Sequence, residues 1–358
     1  MKKPNPGWPL VAAAILSSVV LAACGSSSAS SSTTAAAAPA SSSGSSSTTS
    51  TAAAGQPTAS AATPASSATG VTLRVGDQAG TGAEAQLQAA GLLSKLPFKV
   101  QFSDFTSGPP ILQALSAGDL DVGGVGDAPP VFAAAGGAKI AIVGEYANNP
   151  ASAALVVPKG SAITSITQLK GKKIAVAQGS SADYHLLTVL KAAGLTPKDV
   201  TLDYLQPAEA LAALQSGAVD AWDTWSPFIE EATAKGDRIL VNGDKYGANY
   251  SYVVASQAAL ANPKLVAAIA DYVKLLAQAH RWVATHPQQW GATWAKATGL
   301  PVATMVRAAR DAANTPIPVG TQTVSSEQGL VNAFSGAGLI PRSFSFGQYV
   351  TTALNSAL

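Results

Sequence analysis

Apolar and polar positions alternate along the chain with two periods, and these periods predict a series of strands and amphipathic helices. In the first half, the predicted elements follow one another at 71–75, 81–93, 98–102, 109–117 and 120–125. The first, third and fifth of these are strands, and the other two are helices. Such a β-α-β-α-β series is typical of a parallel sheet with helices packed on its faces.

A second series of the same kind follows further along the chain. Its predicted elements lie at 173–177, 182–193, 200–204, 208–215 and 219–222, again in the order strand, helix, strand, helix, strand. Because the order of elements repeats, we expect two lobes that share one topology.

One short motif occurs in both series at identical spacing. Residues 114–122 and 213–221 both read Ala-Leu-x-x-Gly-x-apolar-Asp-apolar. In each copy the glycine, Gly118 or Gly217, stands where it would end a helix before a short strand. Each strand then leads into a polar turn that contains proline. We therefore expect one supersecondary unit, used in two facing halves that clamp a ligand.

The rest of the chain completes the predicted lobes. Apolar runs at 153–157 and 250–255 are predicted to cross between the lobes and to form a hinge. Helices are predicted after residue 256, and we expect them to pack back on the first lobe, with a separate helical domain as the alternative. The expected domains are the first lobe at 71–157, the second lobe at 158–252 and the returning helices at 253–358.

The first residues are predicted to be a targeting signal outside the fold. Lys2 and Lys3 precede an apolar run that ends at residue 23, which is too short to span a membrane and is typical of a secretory signal peptide at 1–23. Residues 21–24, Leu-Ala-Ala-Cys, resemble the lipobox of bacterial lipoproteins, in which the cysteine carries the lipid. We predict lipidation at Cys24, with an ordinary signal peptide and an incidental cysteine as the alternative.

A tether is predicted between Cys24 and the first strand. Residues 25–70 consist almost wholly of Ser, Ala, Thr, Gly and Pro, without charged or aromatic side chains. Such a segment cannot bury enough apolar surface to offset its ordering entropy. We expect residues 24–70 to be a disordered tether, with a short helical run of alanines as the alternative.

The charge balance limits the classes of partner. The formal net charge of +2 comes from Lys2 and Lys3, so the rest of the chain is neutral. A neutral surface argues against nucleic acid as a partner and against long-range steering of anions. Any anionic ligand must be held by local groups. Cys24 is also the only cysteine in the sequence, so it has no partner for an intramolecular disulfide.

Patterns for catalysis and metal binding have little support. The three histidines, His185, His280 and His286, lack metal-ligand spacing, and no cysteine accompanies them. No nucleophile elbow or phosphate-binding glycine loop follows a predicted strand. The turn at 179–181 is the nearest match to a nucleophile turn, and it lacks an obvious base. We therefore expect a binding protein that is not an enzyme and that uses no cofactor or metal.

Two strand-to-helix turns are candidates for anion binding. In open α/β sheets, ligands sit at the carboxyl ends of the strands, where the following helices direct N-terminal amides at them. Amides and hydroxyls suit an anion that is always ionised, such as a sulfonate; ordinary helix caps are the alternative reading of both turns. The candidate residues are Gly126, Asp127, Ala128, Gly179, Ser180 and Ser181.

Further residues are predicted to approach the same cleft. Gln78 follows the first strand, and Ser107 and Gly108 follow the second. Trp222 lies at the end of a strand in the second series and could form a wall for the organic part of a ligand, with a place in the lobe core as the alternative. Tyr250 begins the second apolar run and is expected to reach the ligand.

Asp223 would bring a negative charge beside Trp222. It would repel an anion unless the ligand also carries a cation, or it could orient an amide or cap a turn. Trp225 is a second candidate for the aromatic wall. Tyr252 shares the face of Tyr250 if the run is a strand, because the two residues are two positions apart.

Together, these residues resemble the aliphatic sulfonate, taurine and nitrate family of solute-binding proteins of ABC importers. The likeness runs from residue 71 to residue 341. It is carried by the segments at 107–110, 124–130, 157–161, 169–175, 179–182, 220–222, 225–228 and 249–252.

The resemblance implies a two-lobed α/β fold of the type II periplasmic-binding-protein class, with two parallel-type sheets flanked by helices and a hinge of crossing strands. It also implies delivery of the ligand to a membrane permease and its cytoplasmic ATPase. The chain departs from the family pattern at Asp183, Asp223 and Ser226, where a histidine, an apolar residue and an aspartate are usual. An added acid near the cleft could favour an amino-sulfonate such as taurine. The binding positions implied by the resemblance are Gln78, Ser107, Asp127, Ala128, Ser180, Ser181, Trp222 and Tyr250.

The expectation from sequence is a monomeric lipoprotein on the outer face of the cytoplasmic membrane that binds a small sulfonate for sulfur uptake. A receptor for taurine, nitrate, bicarbonate or a thiamine-precursor pyrimidine is the alternative within the same class. A sensor or an enzyme of the same fold is the alternative outside it.

Overall fold

The computed structural model describes residues 68–78, 82–247 and 250–357. The predicted signal peptide, the predicted lipidation site at Cys24 and most of the predicted tether lie outside the described residues. In the described part of the chain, no helix is both long enough and apolar enough to cross a membrane.

Strands and helices alternate through the first two thirds of the described chain, and helices dominate after them. The strands are β1 (Thr72–Gln78), β2 (Lys99–Phe105), β3 (Val122–Gly126), β4 (Ile140–Ala147), β5 (Ala153–Val157), β6 (Lys173–Val176), β7 (Thr201–Tyr204), β8 (Ala221–Trp225), β9 (Arg238–Asn242), β10 (Tyr250–Ser256) and β11 (Thr315–Ile317). The helices are α1 (Ala83–Ala89), α2 (Gly108–Ala117), α3 (Ala128–Ala135), α4 (Ser181–Ala192), α5 (Pro207–Ser216), α6 (Phe228–Ala234), α7 (Gln257–Leu260), α8 (Pro263–Thr285), α9 (Pro287–Thr298), α10 (Val302–Asp311) and α11 (Thr321–Gly336).

The strands form two sheets, which define the two lobes. The first sheet has the order β11-β4-β10-β3-β1-β2, and the second has the order β7-β6-β8-β5-β9. In each sheet the strands of the repeated series run parallel, whereas β10 in the first and β5 in the second run antiparallel to their neighbours. The predicted two-lobed α/β class is confirmed, with sheets that are mixed rather than wholly parallel.

The glycine of the repeated motif ends a helix in both lobes. Gly118 closes α2 with a φ of +85°, and Gly217 closes α5 with a φ of +72°. Both values lie in the left-handed region, which glycine adopts without steric cost because it has no Cβ. The predicted helix stops are therefore confirmed.

The aspartate of the repeated motif has a structural role in both lobes. The backbone N–H of Arg74 donates to a carboxylate oxygen of Asp121 at 2.9 Å, and the N–H of Asp121 donates to the carbonyl of Arg74 at 2.9 Å. Asp220 makes the same pair of bonds with Lys173, both at 2.8 Å. Each aspartate thus fastens the entry to the third strand of its series onto the first strand.

The two apolar runs predicted to cross between the lobes are members of the sheets. β5 lies between β8 and β9 in the second sheet, and β10 lies between β3 and β4 in the first sheet. All five residues of β5 are buried, which explains why the run is continuously apolar. The chain therefore passes from the first sheet to the second between β4 and β5 and returns between β9 and β10, ahead of the predicted lobe boundaries at 157 and 252.

The two longest C-terminal helices, α8 and α11, share the core of the first lobe, and α9 and α10 pack in a smaller cluster with the end of α8 and with α1 of that lobe. Ile269, Tyr272 and Val273 of α8 are buried in one cluster with Leu73 and Val75 of β1. A separate helical domain would have its own core, whereas α8 covers one face of the first sheet.

Candidate functional site

A cavity of about 210 Å³ lies where the carboxyl ends of the strands in the two lobes face each other. Both lobes contribute to its wall, so it is an interlobe cleft of the kind in which small ligands bind. Five residues predicted from the sequence line it, namely Gln78, Gly108, Gly126, Ser180 and Ser181.

The two lobes touch each other beside this cavity. The N–H of Asp127 donates to the Ser181 hydroxyl at 3.1 Å, and the side-chain oxygen of Gln206 accepts hydrogen bonds from the Thr106 and Ser107 hydroxyls at 2.8 and 2.9 Å. These bonds join residues on opposite lobes. The cleft is therefore closed in this conformation.

Gly126 permits the closest approach between the lobes. A Cβ at this position would lie 2.0 Å from Oγ of Ser181 on the other side of the cleft. Because real Cβ atoms do not come so close to a heavy atom, a larger residue here would force the Ser181 hydroxyl to rotate away from the Asp127 N–H that it bonds in the closed cleft.

Three helices begin at this cleft and direct their positive ends towards it. α2 begins at Gly108 and α3 at Ala128 in the first lobe, while α4 begins at Ser181 in the second. The first turns of α2 and α3 contain Pro109-Pro110 and Pro129-Pro130, which have no N–H, so few amides remain at these two ends. A helix N-terminus attracts an anion through its partial positive charge and its unpaired amides.

The caps of these helices differ. Ser180 caps α4, since its hydroxyl accepts from the N–H of Asp183 at 3.4 Å and donates to the carbonyl of Ala177 at 2.7 Å. The side chains of Ser107 and Asp127 make no capping hydrogen bond to α2 and α3. Capping by the Asp127 side chain, which belonged to the alternative reading of this turn, is therefore not observed.

The charges near the cleft are acidic. No lysine or arginine stands among the described residues that line the cavity, whereas Asp77 does. The carboxylate of Asp77 accepts from the N–H groups of Gln78, Ala83 and Glu84, each at 2.9 Å, and so caps α1. A Cβ at Gly82 would lie 1.9 Å from this carboxylate, which explains the glycine. An anion bound in the cleft would be held by amides and hydroxyls rather than by a cation.

Asp183 lies in the first turn of α4, behind the two serines that line the cavity. One of its carboxylate oxygens accepts from the N–H of Gly179 at 2.9 Å, and the side chain is almost fully buried. Burial raises the pKa of Asp183 to about 7, although the Gly179 N–H opposes this change; the charge of Asp223 adds to it. This carboxyl group therefore changes its charge near neutral pH, close to the proposed anion site.

We expect anion binding to weaken as the pH rises through about 7. A bound anion disfavours ionisation of Asp183, so affinity is highest below the pKa of the free protein and falls above it. Calorimetric titration with ethanesulfonate, whose own charge is constant, should show a loss of about fivefold to tenfold in affinity between pH 6 and pH 8. Asp183→Asn should remove most of this change. A slope that persists in this variant would assign the pH dependence to another group.

Trp222 does not line the cavity, contrary to the prediction. Its side chain is 1% exposed and packs in the core of the second lobe with Leu214 and Ile229. Trp225 lines the cavity instead. The two residues are three positions apart on β8, and residues an odd number of positions apart point to opposite faces of a strand. The aromatic wall is therefore on the other side of β8 from the predicted one.

Asp223 also lies away from the ligand. It is fully buried inside the second lobe, where its carboxylate oxygens are 2.8 and 2.9 Å from Nδ1 of His185 on α4. Burial disfavours the charged imidazole, but the adjacent Asp223 outweighs burial, so the pKa of His185 is raised. Asp223 thus neutralises a buried histidine and gives no support to an amino-sulfonate.

Tyr252 lines the cavity, whereas Tyr250 does not. The two rings stack on the same face of β10 with centroids 6.4 Å apart, as their spacing predicts. Tyr250 is half-buried behind Tyr252. Tyr252 therefore occupies the place in the cavity wall that was predicted for Tyr250.

The remaining predicted residues lie next to the cavity without lining it. Ser107, Asp127, Ala128 and Gly179 occupy the turns that lead into α2, α3 and α4. Gly179 also stands close to the first lobe, since a Cβ there would lie 3.1 Å from the ring of Phe132. These residues shape the cleft through the backbone.

Several residues of the cavity wall were not predicted from the sequence. They come from β4, from the crossing at 148–152 and from the C-terminal helices, and no sequence motif marks them. They include Tyr146, Asn148, Ser152, Ser251, His280, Trp290 and Trp294.

A metal site would need several His, Cys, Asp or Glu side chains close together. Within residues 68–78, 82–247 and 250–357, no three or more His, Cys, Asp or Glu side chains are grouped so that they could hold a metal ion.

The two α/β lobes and the closed cleft between them have the architecture of the periplasmic-binding-protein fold class. A family model described as NMT1/THI5 like matches residues 100–290. An aliphatic sulfonates-binding protein of Escherichia coli (strain K12) is 32% identical over 282 residues, which cover 78% of this chain and 88% of that protein. The taurine-binding periplasmic protein of the same organism is 34% identical over 148 residues, 41% of this chain and 45% of that protein.

A solved structure agrees with these relatives. The alkanesulfonate-binding protein SsuA from Xanthomonas axonopodis pv. citri, bound to MOPS, has a TM-score of 0.73 and 32% identity, covering 79% of this chain and 99% of that chain. The chain belongs to the NMT1/THI5-like family, among relatives named as sulfonate-binding proteins.

Proposed function

We propose that this protein is an extracytoplasmic receptor that binds an aliphatic sulfonate between its lobes and presents the closed form to the permease and ATPase of an ABC importer. The observation that carries the proposal is the convergence of the N-termini of α2, α3 and α4 on one closed cleft. Relatives whose names give a sulfonate or taurine as the ligand support the same ligand class.

The electrostatics of the cleft favour a monoanion. No lysine or arginine stands among the described residues that line the cleft, which offers amides and hydroxyls. These groups can hold one negative charge. Asp77 in the cavity wall and Asp183 in the first turn of α4 would oppose a second negative charge by like-charge repulsion. A sulfonate fits because it carries a single charge at every physiological pH.

The location in the cell is part of the same proposal. Lipid attachment at Cys24 and the tether at 24–70 would hold the two lobes at the outer face of the cytoplasmic membrane. This part is supported by residues 21–24 and by the composition of 25–70.

Calorimetric titration of the purified protein with ethanesulfonate, taurine and nitrate tests the ligand class. We expect ethanesulfonate to bind with a dissociation constant of about 10 μM or lower, roughly −7 kcal/mol, and nitrate to bind more weakly because it reaches fewer groups in the cleft. Recovery of the sulfonate unchanged after incubation would separate a receptor from an enzyme of the same fold. The absence of heat with all three anions would sink the proposal.

A further inference from the structure

The wall of the cavity includes a group of aromatic side chains from the first lobe. Tyr146 of β4, His280 of α8, and Trp290 and Trp294 of α9 form this group. The two indole rings stack with centroids 5.6 Å apart, and the rings of Tyr146 and His280 lie 4.3 Å apart. We call these four residues the aromatic chamber.

Two polar atoms of the aromatic chamber are buried without a hydrogen-bond partner among the described residues. They are the hydroxyl of Tyr146 and Nε1 of Trp294, on side chains that are 2% and 3% exposed. Buried polar groups in folded proteins almost always have a partner, and leaving one unpaired is costly. The indole N–H can only donate. A ligand that satisfied it must carry a hydrogen-bond acceptor.

The four residues of the aromatic chamber are uncharged near pH 7. Burial lowers the pKa of His280 to about 4, so the imidazole is uncharged at pH 7. Burial also raises the pKa of Tyr146, which keeps the phenol protonated. Burial raises the pKa of Asp77, which lines the same cavity, although three backbone N–H groups oppose this change. No lysine or arginine stands among the described lining residues, so this wall offers no positive charge to an anionic acceptor. The acceptor best suited to this wall is therefore a neutral oxygen, such as that of an ether or a carbonyl.

The volume sets the size of the ligand. A cavity of about 150 Å³ holds one benzene, which has six non-hydrogen atoms. In proportion, the 210 Å³ available here would hold about eight such atoms. Ethanesulfonate has six, so the cavity has space for a longer tail.

We propose that the aromatic chamber binds the tail of the ligand and that this tail carries a neutral oxygen acceptor for Tyr146 and Trp294. The substrate class is then a short sulfonate with an ether, hydroxyl or carbonyl oxygen on its chain, rather than a plain alkanesulfonate. The inference rests on the proposed sulfonate-binding function.

A matched pair of probes tests this inference. 2-Methoxyethanesulfonate and 1-butanesulfonate have the same number of non-hydrogen atoms and differ by one ether oxygen in place of a methylene. Titration calorimetry of the wild-type protein should show tighter binding of the ether, on the order of tenfold, from the hydrogen bonds it gains. In Trp294→Phe and Tyr146→Phe this preference should shrink towards parity.

The variants are chosen to preserve the fold. Each removes a polar atom that has no partner among the described residues and keeps an aromatic ring, so we expect melting temperatures at or above that of the wild type. Trp282→Phe is the control, because Trp282 stacks on His286 with centroids 4.8 Å apart and does not line the cavity. It should retain the wild-type preference for the ether.

The outcomes separate the two proposals. Binding of both probes with equal affinity would overturn the inference alone, because water rather than the ligand would then satisfy the two donors. Failure of ethanesulfonate and both probes to bind would overturn the proposed function, and the inference with it. A preference for the ether that survives in both aromatic variants would place the acceptor elsewhere in the cleft and reject the chamber.

Discussion

Replacing Asp223 by alanine is expected to lower the free energy of unfolding by about 3–5 kcal/mol, because the substitution leaves a buried histidine without its counter-charge. Asp223 and His185 have no exposed side-chain surface, and the carboxylate lies 2.8 Å from the imidazole nitrogen. The midpoint of thermal unfolding should fall by on the order of 10 °C. Urea unfolding followed by circular dichroism measures the change.

A second ion pair of the same lobe is the matched control. Lys173 and Asp203 lie 2.9 Å apart, but their side chains are 44% and 32% exposed. Asp203→Ala should therefore change stability by no more than about 1 kcal/mol. Asp203→Ala should bind ethanesulfonate as the wild type does, since its carboxylate does not line the cleft. Asp223→Ala removes a charge that raises the pKa of Asp183, so its affinity should fall slightly near pH 7. Wild-type stability of the Asp223 variant would mean that His185 is neutral and that the pair contributes nothing.

Gly126→Ala is expected to weaken sulfonate binding by at least about tenfold, the equivalent of roughly 1.4 kcal/mol. The new methyl group would lie 2.0 Å from Oγ and 3.1 Å from Cβ of Ser181, so the hydroxyl would have to rotate away from the N–H of Asp127 and the two turns would have to separate slightly. The φ of Gly126 is outside the left-handed region, and the substitution should therefore leave the folded lobes intact. Calorimetric titration with ethanesulfonate measures the loss.

A variant of Ser181, the residue opposite Gly126, tests whether the loss of affinity comes from the steric conflict between the two residues. Ser181→Ala supplies the reference, because it removes the hydroxyl itself, and adding Gly126→Ala to it should cost less affinity than Gly126→Ala costs in the wild type. Gly329→Ala is the control, because a Cβ at this position of α11 would meet no atom within 4 Å. It should bind with wild-type affinity. If Gly126→Ala also binds normally, ligand binding does not require the closed cleft.

The elements with a local physical cause could be predicted from the sequence. The stops at Gly118 and Gly217 depend on the conformation of one residue, and both are observed. Among the helices predicted after residue 256, α9 has both ends marked in the sequence, since a proline begins it and a glycine follows it. The predicted turns at 126–129 and 179–182 do lead into helices whose N-termini face the cleft.

For other elements, the sequence pattern is compatible with more than one secondary structure. β4 reads as a nearly continuous apolar run, and periodicity alone does not distinguish such a run from a buried helix. Its place between β10 and β11 in the first sheet follows from pairings with residues far along the chain. The same applies to β5 and β10, which are apolar because they lie inside the sheets rather than because they cross between the lobes.

By itself, then, the sequence determined the repeated units, the helix ends and the family, because these depend on short-range chemistry and on motifs. Only the tertiary structure decided which side chains reach the ligand. Trp225 rather than Trp222 faces the cleft because of the orientation of β8 in its sheet. Tyr146 and Trp294 line one cavity because α9 packs against α1 and α8, and the proximity of residues so far apart in the chain leaves no pattern in the sequence.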